Sequence, residues 1–279
     1  MEEKPIIALL YDFDKTLCTT DMQNYSFIPN LGVTPAEFWG KAGEVSSKYG
    51  VERILSYMYV MIDECKKKGV KLTREYLQSL GKDIVYYPGV KTWFKRINEY
   101  GEKEGVQIEH YIISSGTKEI IEGCEIFKEF KAAYGCEFMY AEDTKEAVWP
   151  SLSINYTAKT QFYYRIAKGV LAQNDDTKLN EKTIGRKRVP YSNMIYFGDG
   201  MTDIPCMILA KDNGGTSIAV YQEGQKNKVS NLYEEDRVNF ISLADYSEGS
   251  DLENVVKLVI QRIAVTNKLK EKENQLINK

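Results

Sequence analysis

Four short apolar runs recur along the chain, each bounded by charged residues or by turn residues. They occupy positions 6–11, 111–113, 194–197 and 217–221. Continuous apolar runs of this kind are typical of strands buried on both faces of a parallel sheet. Segments with helical periodicity separate them, at 91–100, 118–130 and 158–171. Strands that alternate with helices predict an α/β fold with a doubly wound parallel sheet, whose ligands bind beyond the carboxyl ends of the strands.

Residues 20–87 interrupt this alternation, because they contain no convincing buried strand. Thr34-Pro35 is typical of a helix start, and Thr73 can cap a further helix running to about Ile84. Between them, 51–68 places six apolar side chains on one face at helical spacing: Ile54, Leu55, Met58, Met61, Ile62 and Cys65. We therefore predict a helical cap over 20–87, inserted into a catalytic core formed by 1–19 and 88–279.

Three other segments lie outside this alternation. A β-hairpin flap is predicted over 137–155. The polar segment 173–192 is either a disordered surface loop or a functional one, and its basic run 186–188 is expected to form a solvated patch. The charged segment 268–279 suggests a tail without an evident role.

Composition narrows the function classes. The 279 residues are 43% hydrophobic with a formal net charge of −3, which gives no indication of a nucleic-acid partner. The N-terminal apolar run is too short to span a membrane and lacks a cleavage site. Five scattered cysteines without a Cys-x-x-Cys pair indicate free thiols, so we expect a cytoplasmic protein. His110 is the only histidine, which argues against a histidine-based metal site or a serine triad.

Two carboxylates follow the first apolar run directly. Alternate side chains of an extended segment point the same way, so Asp12 and Asp14 can face one site while Phe13 points into the protein. Neighbouring carboxylates repel each other and need a cation. Ligation by oxygen alone suits Mg²⁺. Alone, an Asp-x-Asp pair is weak support, because turns and helix caps use aspartate freely.

Three further motifs follow strands or precede helices. After the 194–197 run, Asp199 can add a carboxylate to the metal, and Asp203 can orient the ligands from behind. Ser114, Ser115 and Gly116 follow the second run and are predicted to bind phosphate at a helix start, although they also suit a simple N-cap. Lys159 near a helix start is a candidate phosphate ligand, although in isolation a solvated surface lysine is the better interpretation.

In this order, the four motifs resemble those of the haloacid dehalogenase-like (HAD) hydrolase superfamily, most of whose members are phosphatases. The matches are 12–16 (DFDKT), Ser114, Lys159 and 198–203 (GDGMTD), and the resemblance covers about 6–221. The predicted helical cap lies where members similar to phosphoserine phosphatase carry theirs. Asp14, which dehalogenases of the superfamily lack, favours a phosphatase.

The resemblance implies a two-step mechanism on a small phosphorylated substrate. Asp12 would attack phosphorus, and Asp14 would protonate the leaving oxygen and then activate water. Mg²⁺ would be held by the side chains of Asp12 and Asp199 and by the backbone carbonyl of Asp14, with Lys159 and Ser114 holding phosphate oxygens. Two alternatives stay open, a phosphotransferase or phosphomutase on the same fold and a non-catalytic protein that binds a phosphorylated ligand.

Substrate selection would lie with the cap. By resemblance, Asp21 occupies the position that receives the amino group of phosphoserine, unless it merely caps the first cap helix. Arg53 is the best-placed candidate for a substrate carboxylate and Arg74 is the other cap arginine, but both also suit a solvated surface. Five aromatic residues either line a pocket or form the core of the cap: Tyr25, Phe27, Trp39, Tyr57 and Tyr59.

Overall fold

The computed structural model describes residues 4–182 and 187–277. The strands are β1 Ile6–Tyr11, β2 Gln107–Thr117, β3 Ala132–Tyr140, β4 Ala147–Leu152, β5 Met194–Gly198, β6 Thr216–Tyr221 and β7 Phe240–Leu243. The helices are α1 Phe27–Asn30, α2 Pro35–Tyr49, α3 Arg53–Lys68, α4 Arg74–Leu80, α5 Val90–Glu104, α6 Lys118–Glu122, α7 Ala158–Lys168, α8 Asp176–Asn180, α9 Ile204–Asp212, α10 Asn227–Glu234 and α11 Asp251–Ile277. Short 3₁₀ turns occupy Met22–Asn24, Gly81–Asp83, Phe127–Glu129 and Tyr191–Asn193.

One seven-stranded sheet organises the fold, in the order β4-β3-β2-β1-β5-β6-β7. Every neighbouring pair is parallel except β3 and β4, which are antiparallel. The central strand β1 is buried along almost its whole length, as a strand covered by helices on both faces requires. The predicted α/β class with a doubly wound parallel sheet is confirmed, and so are the four predicted strands and the hairpin.

The segment between β1 and α5 is helical, as its periodicity predicted. At the start of α2, Thr34 and Glu37 form a reciprocal capping box, and Gly50 and Gly69 end α2 and α3 in the left-handed conformation. The short α4 packs against α6 so closely that a Cβ on Gly123 would lie 1.7 Å from the backbone oxygen of Gln78. The division of the chain into a core and a cap at residues 20–87 stays a prediction.

Arg74 joins this helical segment to the sheet. Its guanidinium donates to Glu122 at 3.2 Å and to Glu137 at 3.0 Å, and it stacks on the ring of Tyr140. The expectation of a solvated surface arginine was therefore wrong for this residue. Its guanidinium is committed to the contact between the helical segment and the β3–β4 hairpin.

Several predicted bounds were wrong. The helix expected over 118–130 ends at Glu122, where Gly123 makes its close backbone contact, and α7 ends at Lys168 before left-handed Gly169. The charged segment expected to be a tail continues α11 as far as Ile277. Strand β7 and helix α10 were not predicted.

The polar segment 173–192 is structured where the structure describes it. It contains α8, and Arg165 holds its start by donating to the backbone oxygens of Ala172 and Gln173. In the basic run, Arg188 is exposed to solvent but also forms a bidentate ion pair with buried Glu109. Arg186 lies outside the described residues.

Candidate active site

The carboxyl ends of β2, β1 and β5 lie side by side and position the predicted motifs. The register places Tyr11, the last residue of β1, between Ile112 and Phe197, and the Asp12 amide donates to the Phe197 carbonyl at 2.9 Å. The motifs that follow β1 and β5 therefore emerge together at one sheet edge. Phe13 is fully buried, as the alternation of side chains predicted.

A cavity of about 270 Å³ opens at this edge. It is lined by Asp12, Asp14, Lys15, Asp21, Gln23, Trp39, Ile54, Tyr57, Ser115, Gly116, Asp199, Gly200, Met201 and Thr202. Four predicted aspartates, part of the predicted phosphate-binding segment and residues of the helical segment thus share one cavity. Its volume of about 270 Å³ lies just below the usual range for small-molecule sites, which suits a small substrate.

A buried ion-pair network supports Asp12 from below. The Lys159 ammonium is fully buried and donates to Asp12 Oδ1 at 2.8 Å and to Asp203 Oδ1 at 2.7 Å. Asp203 also accepts hydrogen bonds from the Tyr196 hydroxyl at 2.7 Å and from the backbone amides of Asp199 and Gly200. Asp203 therefore fixes both Lys159 and the turn that carries Asp199.

Gly198 is required by this packing. A Cβ at that position would lie 2.4 Å from the carboxyl carbon of Asp203, so any larger residue would displace the carboxylate. The glycine before Asp199 serves the buried network rather than the cavity itself.

The carboxylates raise one another's proton affinity. Burial, reinforced by the charge of Asp203, raises the pKa of Asp12 to about 6, although Lys159 opposes the shift. Burial followed by the charges of Asp21 and Asp12 holds the pKa of Asp14 well above its ordinary value. Burial and the charges of Asp203 and Asp12 do the same for the pKa of Asp199. Burial alone would lower the pKa of Lys159, but the charges of Asp12 and Asp203 outweigh it and raise that pKa.

This donor set fits a hard divalent cation. Carboxylate oxygens of Asp12, Asp199 and Asp203 all lie within 4.8 Å of one another. Asp203 is saturated by its four donors, whereas no hydrogen bond to the Asp199 carboxylate is found among the described residues. A cation bound by oxygen alone would relieve the repulsion that raises these pKa values. Asp14, predicted to contribute its backbone carbonyl, is not part of this carboxylate group.

Ser114, Ser115 and Gly116 lie in the irregular end of β2, not at the start of a long helix. The helix that follows, α6, has only five residues, so the expected helix-terminus contribution to phosphate binding is not available. The Ser114 hydroxyl is buried, lies outside the cavity lining and accepts a hydrogen bond from the Gly116 amide at 2.9 Å. Ser115 does line the cavity, and its buried Oγ has no partner among the described residues.

Asp21 lines the cavity next to Lys15. The Lys15 ammonium lies 2.7 Å from Oδ2 and 2.8 Å from Oδ1 of Asp21, and Lys15 has a left-handed φ of 57°. Asp21 does precede the 3₁₀ turn Met22–Asn24, but its side chain accepts no capping hydrogen bond. The alternative that Asp21 merely caps a helix was therefore wrong.

The remaining predicted cap residues lie in the cavity wall, in the hydrophobic core or on the exposed surface. Trp39 and Tyr57 line the cavity, and the Tyr57 hydroxyl donates to the Ser115 carbonyl at 2.8 Å. Phe27 is core, and Tyr25 ties Thr19 to the backbone of Val85. Two predicted residues, Arg53 and Tyr59, are exposed and outside the lining of this cavity.

Sequence reasoning missed two residues of the cavity wall, Gln23 and Ile54. Gln23 donates through Nε2 to Thr117 Oγ1, and its buried Oε1 has no partner among the described residues. An amide two positions after Asp21 carries no motif signal. Ile54 was identified only as an apolar helix position. His110, by contrast, is buried away from this cavity, where it contacts the Tyr11 hydroxyl and Asn98, and burial lowers its pKa to about 3.

Comparison with known proteins identifies the fold of this chain but not its activity. No family model matches the chain. A protein described as uncharacterized from Borreliella burgdorferi strain B31 is 28% identical over 280 residues, covering 91% of this chain and 96% of that protein. A HAD-family hydrolase, t0658, from Salmonella enterica serovar Typhi aligns with a TM-score of 0.57 at 15% identity, covering 86% of this chain and 68% of the other. A substrate-bound phosphoserine phosphatase aligns with a TM-score of 0.54 at 15% identity, covering 92% and 99%. The chain therefore has the HAD-like α/β fold that the motifs predicted.

Proposed function

We propose that this protein is a Mg²⁺-dependent phosphatase that hydrolyses a small phosphomonoester through an aspartyl-phosphate on Asp12. One observation carries the proposal: Asp12, Asp14 and Asp199 line a single cavity with Ser115, while Lys159 holds Asp12 from beneath. The likeness to structures described as a HAD-family hydrolase and a phosphoserine phosphatase supports the same chemistry.

In the first step, a carboxylate oxygen of Asp12 forms a bond to phosphorus while the bond to the leaving oxygen breaks. Asp14 delivers its proton to that oxygen, a role that suits a carboxyl whose pKa is held above its ordinary value by burial and by the charges of Asp21 and Asp12. In the second step, Asp14 takes a proton from water as the water oxygen attacks phosphorus. Inorganic phosphate leaves, and the Asp12 carboxylate is restored.

The other residues would position the phosphate group and neutralise its charge. Lys159 has two of its three donors on Asp12 and Asp203, which leaves one for a phosphate oxygen. Ser115, whose Oγ has no partner among the described residues, is proposed to hold another phosphate oxygen, and Ser114 would support this segment by accepting from the Gly116 amide. The carboxylates of Asp12 and Asp199 and the backbone carbonyl of Asp14 would hold Mg²⁺. When bound, the cation offsets the negative charge of phosphate and nucleophile.

Hydrolysis of p-nitrophenyl phosphate tests the proposal directly. We expect turnover with Mg²⁺, none in excess chelator, and no more than a few per cent in Asp12→Asn, because the amide is nearly isosteric but a poor nucleophile. Asp63→Asn on α3 is the matched control, since it removes a surface carboxylate outside the cavity. Full turnover in chelator with metal content checked, or an active Asp12→Asn enzyme, would contradict the proposal.

The same assay separates the two alternatives. A phosphotransferase or phosphomutase would pass phosphate to an added alcohol in place of water, which product analysis detects. A non-catalytic binding protein would bind phosphorylated ligands without releasing inorganic phosphate from any of them.

We also propose that the protein works in the cytoplasm. All five cysteines are free and buried, which suits a compartment that keeps thiols reduced. Among the described residues, no helix is both long enough and apolar enough to cross a bilayer.

A further inference from the structure

The charge of the cavity limits which substrates it can accept. Its lining carries four carboxylates, those of Asp12, Asp14, Asp21 and Asp199, against one ammonium, that of Lys15. A divalent cation and Lys159 would offset this charge, but Lys159 is shared with buried Asp203 and the phosphate group of a substrate adds its own negative charge. A second anionic group on the substrate would need a cation of its own.

Among the described residues, no unpaired cation lines the cavity to meet a second anion. Lys15 is already paired with both oxygens of Asp21 and also feels the charges of Asp199 and Asp14. Arg74 is committed to Glu122 and Glu137. Arg53 is exposed at the start of α3 and lies outside the cavity lining, where its neighbour Ile54 presents an apolar wall.

The cavity offers hydrogen-bond acceptors instead. Both oxygens of Asp21 retain acceptor capacity beyond their bond to Lys15. Gln23, only 1% exposed, lines the cavity with its Oε1 unpaired while its amide nitrogen is fixed on Thr117. A buried acceptor without a partner is costly, and a donor on a ligand would satisfy it. This observation is independent of the acidic cluster.

We propose that the group esterified to phosphate carries a hydrogen-bond donor, an ammonium or a hydroxyl, and no carboxylate. The inference rests on the proposed phosphatase activity and names its substrate class. On this inference the cavity does not bind phosphoserine well, because the cavity lacks a counter-charge for the amino-acid carboxylate.

Four substrates that differ by single groups test this class. Phosphoethanolamine is phosphoserine with its carboxylate replaced by hydrogen, and glycerol 3-phosphate is 3-phosphoglycerate with its carboxylate replaced by a hydroxymethyl group. We expect kcat/KM to fall at least about tenfold in each pair when the carboxylate is present, since an unpaired like charge costs at least the 1.4 kcal/mol that a tenfold ratio represents.

An added cation should weaken the discrimination against the carboxylate-bearing member of each pair. Ile54→Arg puts a guanidinium on the cavity wall, and we expect it to reduce the ratio within each pair at least about fivefold. Ile62→Arg is the matched control. It changes the same residue type on the same helix but lines a separate apolar cavity, so its ratios should equal those of the wild type. Melting temperatures of both variants verify folding.

The outcomes separate the two proposals. Equal or higher kcat/KM for the carboxylate-bearing member of each pair overturns the inference and leaves the phosphatase intact. Turnover of p-nitrophenyl phosphate without turnover of any of the four substrates also overturns it. Absence of turnover on every phosphate ester, aryl phosphate included, refutes the proposed function itself.

Discussion

Replacing Lys159 by Met should test the buried network most directly. The substitution keeps the length of the side chain and removes its charge between Asp12, which is 4% exposed, and fully buried Asp203. Asp203 keeps the Tyr196 hydroxyl at 2.7 Å and two backbone amides, but Asp12 loses the ammonium 2.8 Å from Oδ1. Most of the uncompensated charge therefore falls on Asp12.

The expected magnitude follows from the burial of the pair. Removing one partner of a buried ion pair costs about 3–5 kcal/mol of folding free energy. For a chain of this size, each kcal/mol lowers the melting temperature by about 2–4 °C, so we expect a drop of roughly 6–20 °C. Thermal unfolding should be followed in chelator, because a bound cation would stabilise the unpaired carboxylate and mask the effect.

Two further variants make the reasoning refutable. Lys95→Met removes an exposed lysine of α5 and should change stability by no more than about 0.5 kcal/mol. Combining Lys159→Met with Asp12→Asn should recover part of the loss, because the unpaired charge is gone. If Lys159→Met has the same melting temperature as Lys95→Met, or if the double variant is less stable than Lys159→Met, the network does not stabilise the fold as argued.

Two other predictions concern proton transfer and pH. Asp14→Asn should reduce kcat/KM more for an alkyl phosphate than for p-nitrophenyl phosphate, because only the poorer leaving group needs a proton; equal losses would contradict an acid role. Without metal, the raised pKa of Asp12 means that the folded state binds its proton more tightly than the unfolded state. Its contribution to stability is then fully present below the ordinary value of 3.8 and is lost as pH rises to about 6. Melting temperatures in chelator should fall across that window, and less steeply in Asp12→Asn; an unchanged slope would refute this assignment.

Patterns local in sequence were enough to predict the catalytic frame. Apolar runs predicted β1, β2, β5 and β6, and the parallel fold brings their carboxyl ends to one edge. The motifs carrying Asp12 and Asp199 could therefore be assigned to one site before their distances were known. The capping box at Thr34 and the glycines that end α2 and α3 are also local signals, and the helices start and stop where those signals indicate.

Only the tertiary structure decided which charged side chains are engaged in ion pairs. Arg53 and Arg74 are both cap arginines in sequence, yet one is exposed and the other is bound to Glu122 and Glu137, partners 48 and 63 residues away. Arg188 likewise pairs with Glu109 across 79 residues. Such ion pairs depend on packing between distant segments, which periodicity does not encode.

The same limit applies to the cavity wall and to the helix bounds. Gln23 became a candidate acceptor only because Thr117, 94 residues away, takes its amide and leaves Oε1 unpaired. The helix expected over 118–130 stops after five residues, where Gly123 meets the backbone of Gln78. The sequence by itself determined which strand ends carry the catalytic motifs, because strand ends and glycine turns are encoded by neighbouring residues. The counter-charges and acceptors that surround the substrate were decided by long-range contacts, which exist only once the chain has folded.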